Sequence, residues 1–332
     1  MQRHLSCVAA LALIAGGPVL GQSQPAPATE GTPAPTVENT APPGRVLNGH
    51  VFLPSVSVAG ALTTTSFGTF LETAYGSTTG SVQVGDTLYS GSFNYAGVGA
   101  ILGFEYAFLD HFSARLTINE LVYSGINGSS AIVVGTSVAT AATLGFTASL
   151  PLGETLKVGL LLDGGIGPGL ALTIGNGLRT LAANCRQGNC SVNEGSLFGL
   201  NNVFQIQPAL ALNWAPFRSF GVTANVSYAF VIQHRNNGDF NGQAFGLGVA
   251  LDFDFKAISD VPIGLQAVYT WTAPTSGGGL QHVSDLGGGI FYTGRPHLAL
   301  GLQIVARRFK VQPEVNVGWS AVLATIGLRY YF

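Results

Sequence analysis

The sequence predicts an all-β fold, a closed antiparallel transmembrane β-barrel of about twelve strands. Three observations lead there. The 332-residue chain is 47% hydrophobic but only 9% charged, where soluble domains carry about 25% charged residues. Its mean hydropathy is +0.37, yet from residue 61 onward it holds no run of the roughly 18 apolar residues that a spanning helix needs. Instead, bulky and small or polar residues alternate. Phe245, Leu247, Val249, Leu251, Phe253 and Phe255 have one parity, and Gly246, Gly248, Ala250, Asp252 and Asp254 the other. Val222, Ala224, Val226, Tyr228, Phe230 and Ile232 oppose Thr223, Asn225, Ser227 and Gln233 in the same way, and Leu298, Leu300, Leu302 and Ile304 oppose Gly301, Gln303 and Arg307. That is the two-residue period of a strand.

A soluble sheet alternates too, but its solvated face carries Lys and Glu in number. Here the polar face is mostly Gly, Ala, Thr, Ser, Asn and Gln, which suits an enclosed lumen, and the bulky face suits lipid. In hydrocarbon such a sheet must close, because an open edge leaves backbone groups unpaired. The formal net charge of −2 offers no basic field for nucleic acid.

Along the chain, Arg3 and His4 precede the apolar run "LSCVAALALIAGGPVL", with Val19 and Gly21 as small residues before a cleavage point, so residues 1–21 read as a secretory signal. Residues 22–45, rich in Pro, Ala and Thr, bury too little surface to offset their ordering entropy and read as a periplasmic linker. The barrel domain is then 46–332, within which 46–62 fits a first strand, an inward plug or a periplasmic ledge. Strands are expected to start near 64, 93, 113, 136, 156, 201, 220, 244, 262, 284, 297 and 317. Short turns at 109–112, 151–155, 215–219, 257–262 and 294–297 alternate with longer polar loops near 76–92, 124–135, 174–200, 234–243 and 273–283. An even strand count puts both termini on one side. Two positions disturb the pattern. Pro208 falls inside a strand, where it cannot donate to the ladder, and the strand from 113 keeps its parity only with a bulge near Glu120.

The last nine residues, "ATIGLRYYF", place Ala324, Ile326, Leu328, Tyr330 and Phe332 on one face. This ending resembles the terminal strand of the Gram-negative outer-membrane β-barrel superfamily, with Leu328, Tyr330 and Phe332 at the positions that matter. The resemblance implies a bacterial outer-membrane address and recognition of these residues by the outer-membrane assembly machinery. The Asn-Pro-Ala stretch associated with long-chain fatty-acid transporters is absent near the mature N-terminus.

Function then rests on the interior. Eight strands are just filled by their side chains, whereas sixteen leave a wide channel, so twelve with many inward glycines suggest a narrow porin-like pore for small polar solutes or ions. A structural or adhesive barrel with a closed lumen is the alternative. Inward parity assigns Glu105, Arg115, Lys157, Asp252, Asp254 and Arg329 to a charge-balanced ring near the periplasmic end, Asp163 and Glu72 to mid-height, and Arg307 nearer the outside. As a lone mid-height acid, Asp163 is expected to favour cations. An outer-membrane lipid hydrolase is disfavoured, because His50, His111, His234, His282 and His297 lie in the N-terminal segment, turns or loops, none alternating outward beside a serine. His282 and Asp285 alone make too small a ligand set for a metal. "GGIGPG" lacks the Lys-Ser/Thr of a phosphate loop, so no cofactor is indicated.

Two predictions follow from these segments. Removing Phe332 should impair assembly more than removing residues 22–45, judged by the heat-shifted gel band of a folded barrel; equal assembly of both truncations refutes the terminal reading. Cys185 and Cys190, with four residues between them in an exported loop and the two cysteines left after signal removal, should form a disulfide with mainly local effect. Mass spectrometry of protein isolated without reductant should find no free thiol; two free thiols refute the bridge.

Overall fold

The computed structural model describes residues 44–84, 87–126, 133–172, 198–234, 240–276, 280–311 and 316–332. A two-strand hairpin of β1 (Val46–Leu47) and β2 (His50–Val51) precedes twelve long strands. These are β3 (Ser66–Val84), β4 (Thr87–Leu109), β5 (Phe112–Ile126), β6 (Val133–Pro151), β7 (Leu156–Leu172) and β8 (Phe198–Phe217), then β9 (Phe220–His234), β10 (Phe240–Asp254), β11 (Ile263–Ser276), β12 (Leu280–Tyr292), β13 (Leu298–Val311) and β14 (Asn316–Tyr331). Each pairs antiparallel with its sequence neighbours, and β14 pairs with β3 from Asn316 opposite Ser81 to Tyr331 opposite Ser66, which closes the barrel. The ladder runs on past the strand end, where the Phe332 amide donates to the Thr65 carbonyl at 3.0 Å.

Alternation decides which way each side chain points. On β14, Ile326 and Phe332 are 58% and 61% exposed on the outer face, whereas Tyr331 is 3% exposed and points inward. Leu71, Leu160, Leu210 and Leu286 are likewise more than half exposed outside. In water each such side chain would forgo about 1.5–3 kcal/mol of burial. The exterior is therefore matched to hydrocarbon, and the inner face collects the polar side chains.

The short connections fall at 110–111, 152–155, 218–219, 255–262 and 293–297, all at the end where β3 begins and β14 finishes. At the opposite end the expected loop at 76–92 is mostly strand, since β3 runs to Val84 and β4 resumes at Thr87. Its Thr, Ser, Gly and Tyr residues read as loop by polarity, but the backbone of β3 and β4 pairs as far as Val84 opposite Thr87.

The bulge expected near Glu120 does not form. The β4–β5 register is unbroken from Ala107 opposite Ser113 to Asn94 opposite Ile126, and the β5–β6 register from Phe112 opposite Ala148 to Ser124 opposite Thr136, shifting by one residue only beyond Ser124. Glu120 instead points outward, between its cross-strand neighbours Ala100 and Thr140. Pro208 sits in strand, as the pattern required. It pairs with Leu162 on the β7 side, while the β8–β9 pairing passes from Ile206 to Ala209. The missing donor thus faces a gap in the ladder.

Candidate lumen site

Residues 44–65 lie inside the barrel at its short-turn end. The segment begins with a tight hairpin whose two-residue loop is Asn48-Gly49, with φ of 48° and 78°. Positive φ at both positions is what a type I′ turn requires, and Asn-Gly meets it at low cost. The hairpin rests on the β8–β9 turn, where the Asn48 side chain donates to the carbonyls of Ala215 and Pro216 and His50 Nδ1 meets that of Arg218. The chain then crosses the lumen without secondary structure of its own, so its backbone polar groups need partners from the wall. Strands on several sides supply them. The Leu53 amide donates to Asp252 at 3.0 Å, Gln266 to the Leu53 carbonyl, Asn225 to the Ala59 carbonyl, and the Ala61 amide to Asn213.

The wall is shaped for this segment. A Cβ added at Gly221 would lie 2.4 Å from His50 Nε2, and one at Gly264, Gly248 or Gly159 would crowd Leu53, Val58 or Ala61. These inward glycines let the segment's side chains lie directly on the sheet.

The charges predicted from parity separate into two groups. Four members of the expected ring are structural. Glu105 accepts from Thr64 and Ser113, buried Lys157 donates to Thr63, and Asp252, fully buried, accepts from Leu53 and Gln266. Asp254 caps the turn after β10, accepting from the Lys256 amide and the Thr293 hydroxyl.

The others line a cavity of about 710 Å³ above the segment. Asp163 is not the lone acid expected at mid-height: Arg115 Nη2 reaches both of its oxygens, at 2.8 and 3.1 Å. Arg115 crosses β6 to do so, and the crossing needs Gly145, where a Cβ would collide with Asp163. Because the two charges share one site, the cation preference expected from an unpaired carboxylate loses its basis. Arg307 binds Asp285 through two 2.8 Å contacts, a bidentate match of guanidinium to carboxylate. Glu72 lines the same cavity beside Thr325. Arg329 lies with its guanidinium carbon 5.4 Å from the Phe70 ring.

Sequence reasoning missed the anchors Asn213, Asn225 and Gln266 and the partner role of Asp285. The inward parity of the first three was readable; their engagement with a segment some 150–210 residues away in sequence was not. Leu328, Tyr330 and Phe332 point outward. Cys185 and Cys190 lie outside the described residues.

No family model matches the chain, and no curated protein does. Among solved structures it is similar to the deltaS2 mutant of the TodX monoaromatic hydrocarbon channel, at 13% identity over 90% of this chain and 100% of that one, TM-score 0.48. It is also similar to an outer-membrane channel from Pseudomonas putida F1, at 11% identity over 85% and 100%, TM-score 0.46. The translocator domain of the autotransporter NalP from Neisseria meningitidis gives 11% identity over 80% and 89%, TM-score 0.45.

The docking of residues 44–65 should depend on pH through His50. Its ring is fully buried, and Nε2 has no hydrogen-bond partner. Burial holds its pKa below the ordinary 6.5, against the opposing pull of the Arg218 carbonyl and Asp254, while Arg45 adds to the lowering. A group whose folded pKa is depressed in this way resists protonation when docked, so docking is strongest above about pH 6.5 and weakens as pH falls below it. In a Cys185→Ser, Cys190→Ser background, thiol labelling of Ala61→Cys should rise on acidification, and His50→Gln should flatten that dependence. Gly221→Ala should raise labelling at every pH, since overpacking typically costs about 1–3 kcal/mol. Labelling indifferent to pH in the His50 protein contradicts this role.

Proposed function

We propose that the protein is a bacterial outer-membrane channel for small polar solutes or ions, held closed from the periplasmic side by residues 44–65. The observation that carries this reading is the cavity of about 710 Å³ enclosed by the barrel above that segment, lined by hydroxyls and charged side chains. A barrel serving only as a wall has no need of a polar chamber with paired charges in it. The apolar exterior supports the membrane setting, and the placement of both barrel ends beside the short turns supports a periplasmic N-terminus. Lipids of the outer membrane would cover the exterior, and the terminal Leu328, Tyr330 and Phe332 would serve assembly.

The second reading, a structural or adhesive barrel with a permanently closed lumen, draws on the number of wall contacts that hold the segment down. A lipid hydrolase has less support, since among the described residues no serine hydroxyl is hydrogen-bonded to a histidine ring.

Planar-bilayer recording separates the first two. A Cβ at Gly159 would stand 3.0 Å from that of Ala61, close to the roughly 3.5–4.5 Å of a disulfide. Ala61→Cys with Gly159→Cys, in the Cys185→Ser, Cys190→Ser background, should therefore be silent when oxidised and regain openings on reduction. Deleting residues 44–65 should raise conductance several-fold. A folded deletion variant that conducts nothing would leave the structural barrel as the better account.

A further inference from the structure

The charged groups of the cavity are not equally satisfied. Arg115 and Arg307 are each held by an aspartate. Glu105 accepts hydrogen bonds from Thr64 and Ser113. Arg329 is different. Its Nε is buried without a partner, and among the described residues no acceptor meets the rest of its guanidinium. The Phe70 ring lies toward its face, and Arg329 lines the cavity. Nearby on the same side, Arg45 lies 4.0 Å from the ring centre of Tyr331, the next inward residue after Arg329 on β14. Arg45 donates to the carbonyls of Phe52 and Pro296 and has no carboxylate partner among the described residues. Two guanidiniums near aromatic rings thus line the cavity, and among the described residues one of them donates to no acceptor.

The walls are unlike one another. Phe70, Ile101, Val305 and Leu323 come from β3, β4, β13 and β14, which are adjacent in the barrel, and give that side of the cavity apolar surface between Glu72, Gln303, Arg307 and Thr325 of the same strands. Thr143, Gln207, Ser227 and Thr270 line the opposite side. Apolar side chains beside a guanidinium with no carboxylate partner among the described residues suit a molecule with an apolar body and a planar anionic end. A carboxylate matches the two N–H groups of the fork. An ammonium would find Glu105 already accepting from two hydroxyls.

We infer that the cavity binds a small organic carboxylate with an aromatic or branched aliphatic body, its carboxylate on Arg329 and its body against Phe70 and Leu323. The inference rests on the channel reading for the ligand's route into the cavity, and it narrows the solute class. Pockets of roughly 300–1,000 Å³ commonly hold such ligands, so the cavity is of adequate size.

Isothermal titration of the refolded mature chain with benzoate, benzyl alcohol, benzylamine and acetate tests it. Benzoate should bind at least tenfold more tightly than each of the other three. Equal binding of benzyl alcohol would remove the role of charge, and equal binding of acetate that of the apolar wall; either result overturns the inference. Arg329→Gln should weaken benzoate at least tenfold, while Arg308→Gln, an exposed outer-face change, should leave it unaltered. Should Arg329→Gln fail to fold, as judged by its heat-shifted gel band, Phe70→Leu must weaken benzoate several-fold, and unchanged affinity would overturn the site. Protein that binds benzoate yet never conducts keeps this site and sinks the channel. Protein that conducts but is indifferent to benzoate does the reverse.

Discussion

Every feature of this molecule depends on the hydrogen bond between neighbouring strands in a setting with no water to replace it. A free edge in hydrocarbon costs several kcal/mol for each unpaired group, so the sheet must return on itself, and β14 meets β3 along the whole span from Asn316 to Tyr331. The same constraint overrides side-chain preference. At Glu120 a regular register with an outward carboxylate prevails over a bulge that would turn the carboxylate in. At Pro208 the chain tolerates a residue without a donor because the β8–β9 ladder has a gap there.

Closure creates a second requirement. Twelve strands enclose more space than inward Gly, Ala, Ser and Thr can fill, and the short-turn half of that space is taken by residues 44–65. Fit on the wall side comes from the absence of side chains at Gly159, Gly221, Gly248 and Gly264. On the segment side it comes from backbone groups that the sheet's own ladder does not need, met by Asp252, Asn213, Asn225 and Gln266. Charges that a sequence reading assigns to a solute-facing ring are thereby divided. Lys157, Asp252 and Glu105 hold the segment, Asp254 caps a turn, and the cavity keeps two aspartate–arginine pairs, Glu72, and Arg329, whose Nε has no partner among the described residues.

This division explains what could be read from residues alone. Strand starts expected at 113, 156, 220, 262 and 297 lie within one residue of β5, β7, β9, β11 and β13, because each follows a short turn where polarity and alternation change together; that at 317 lies within one residue of β14. The limits at the far end were less legible. There β3 and β4 continue as polar residues, and polarity no longer distinguishes strand from loop. Asn48-Gly49 was a readable hairpin signal. What it sits against was not, since Ala215 and Arg218 are brought beneath it only by the barrel.

The sequence by itself determined that the chain is a twelve-stranded barrel with its apolar side outward, and it placed most of the inward charged residues, Asp285 excepted. Both follow from a two-residue period written into every strand, a local property. Only the tertiary structure decided what those charges do. Arg115 meets Asp163 across an intervening strand, over Gly145, and the distance between them is set by register and barrel curvature, which involve all the strands at once. The same holds for residues 44–65. They carry no period of their own, and their place comes from a cavity that exists only once β14 has closed on β3.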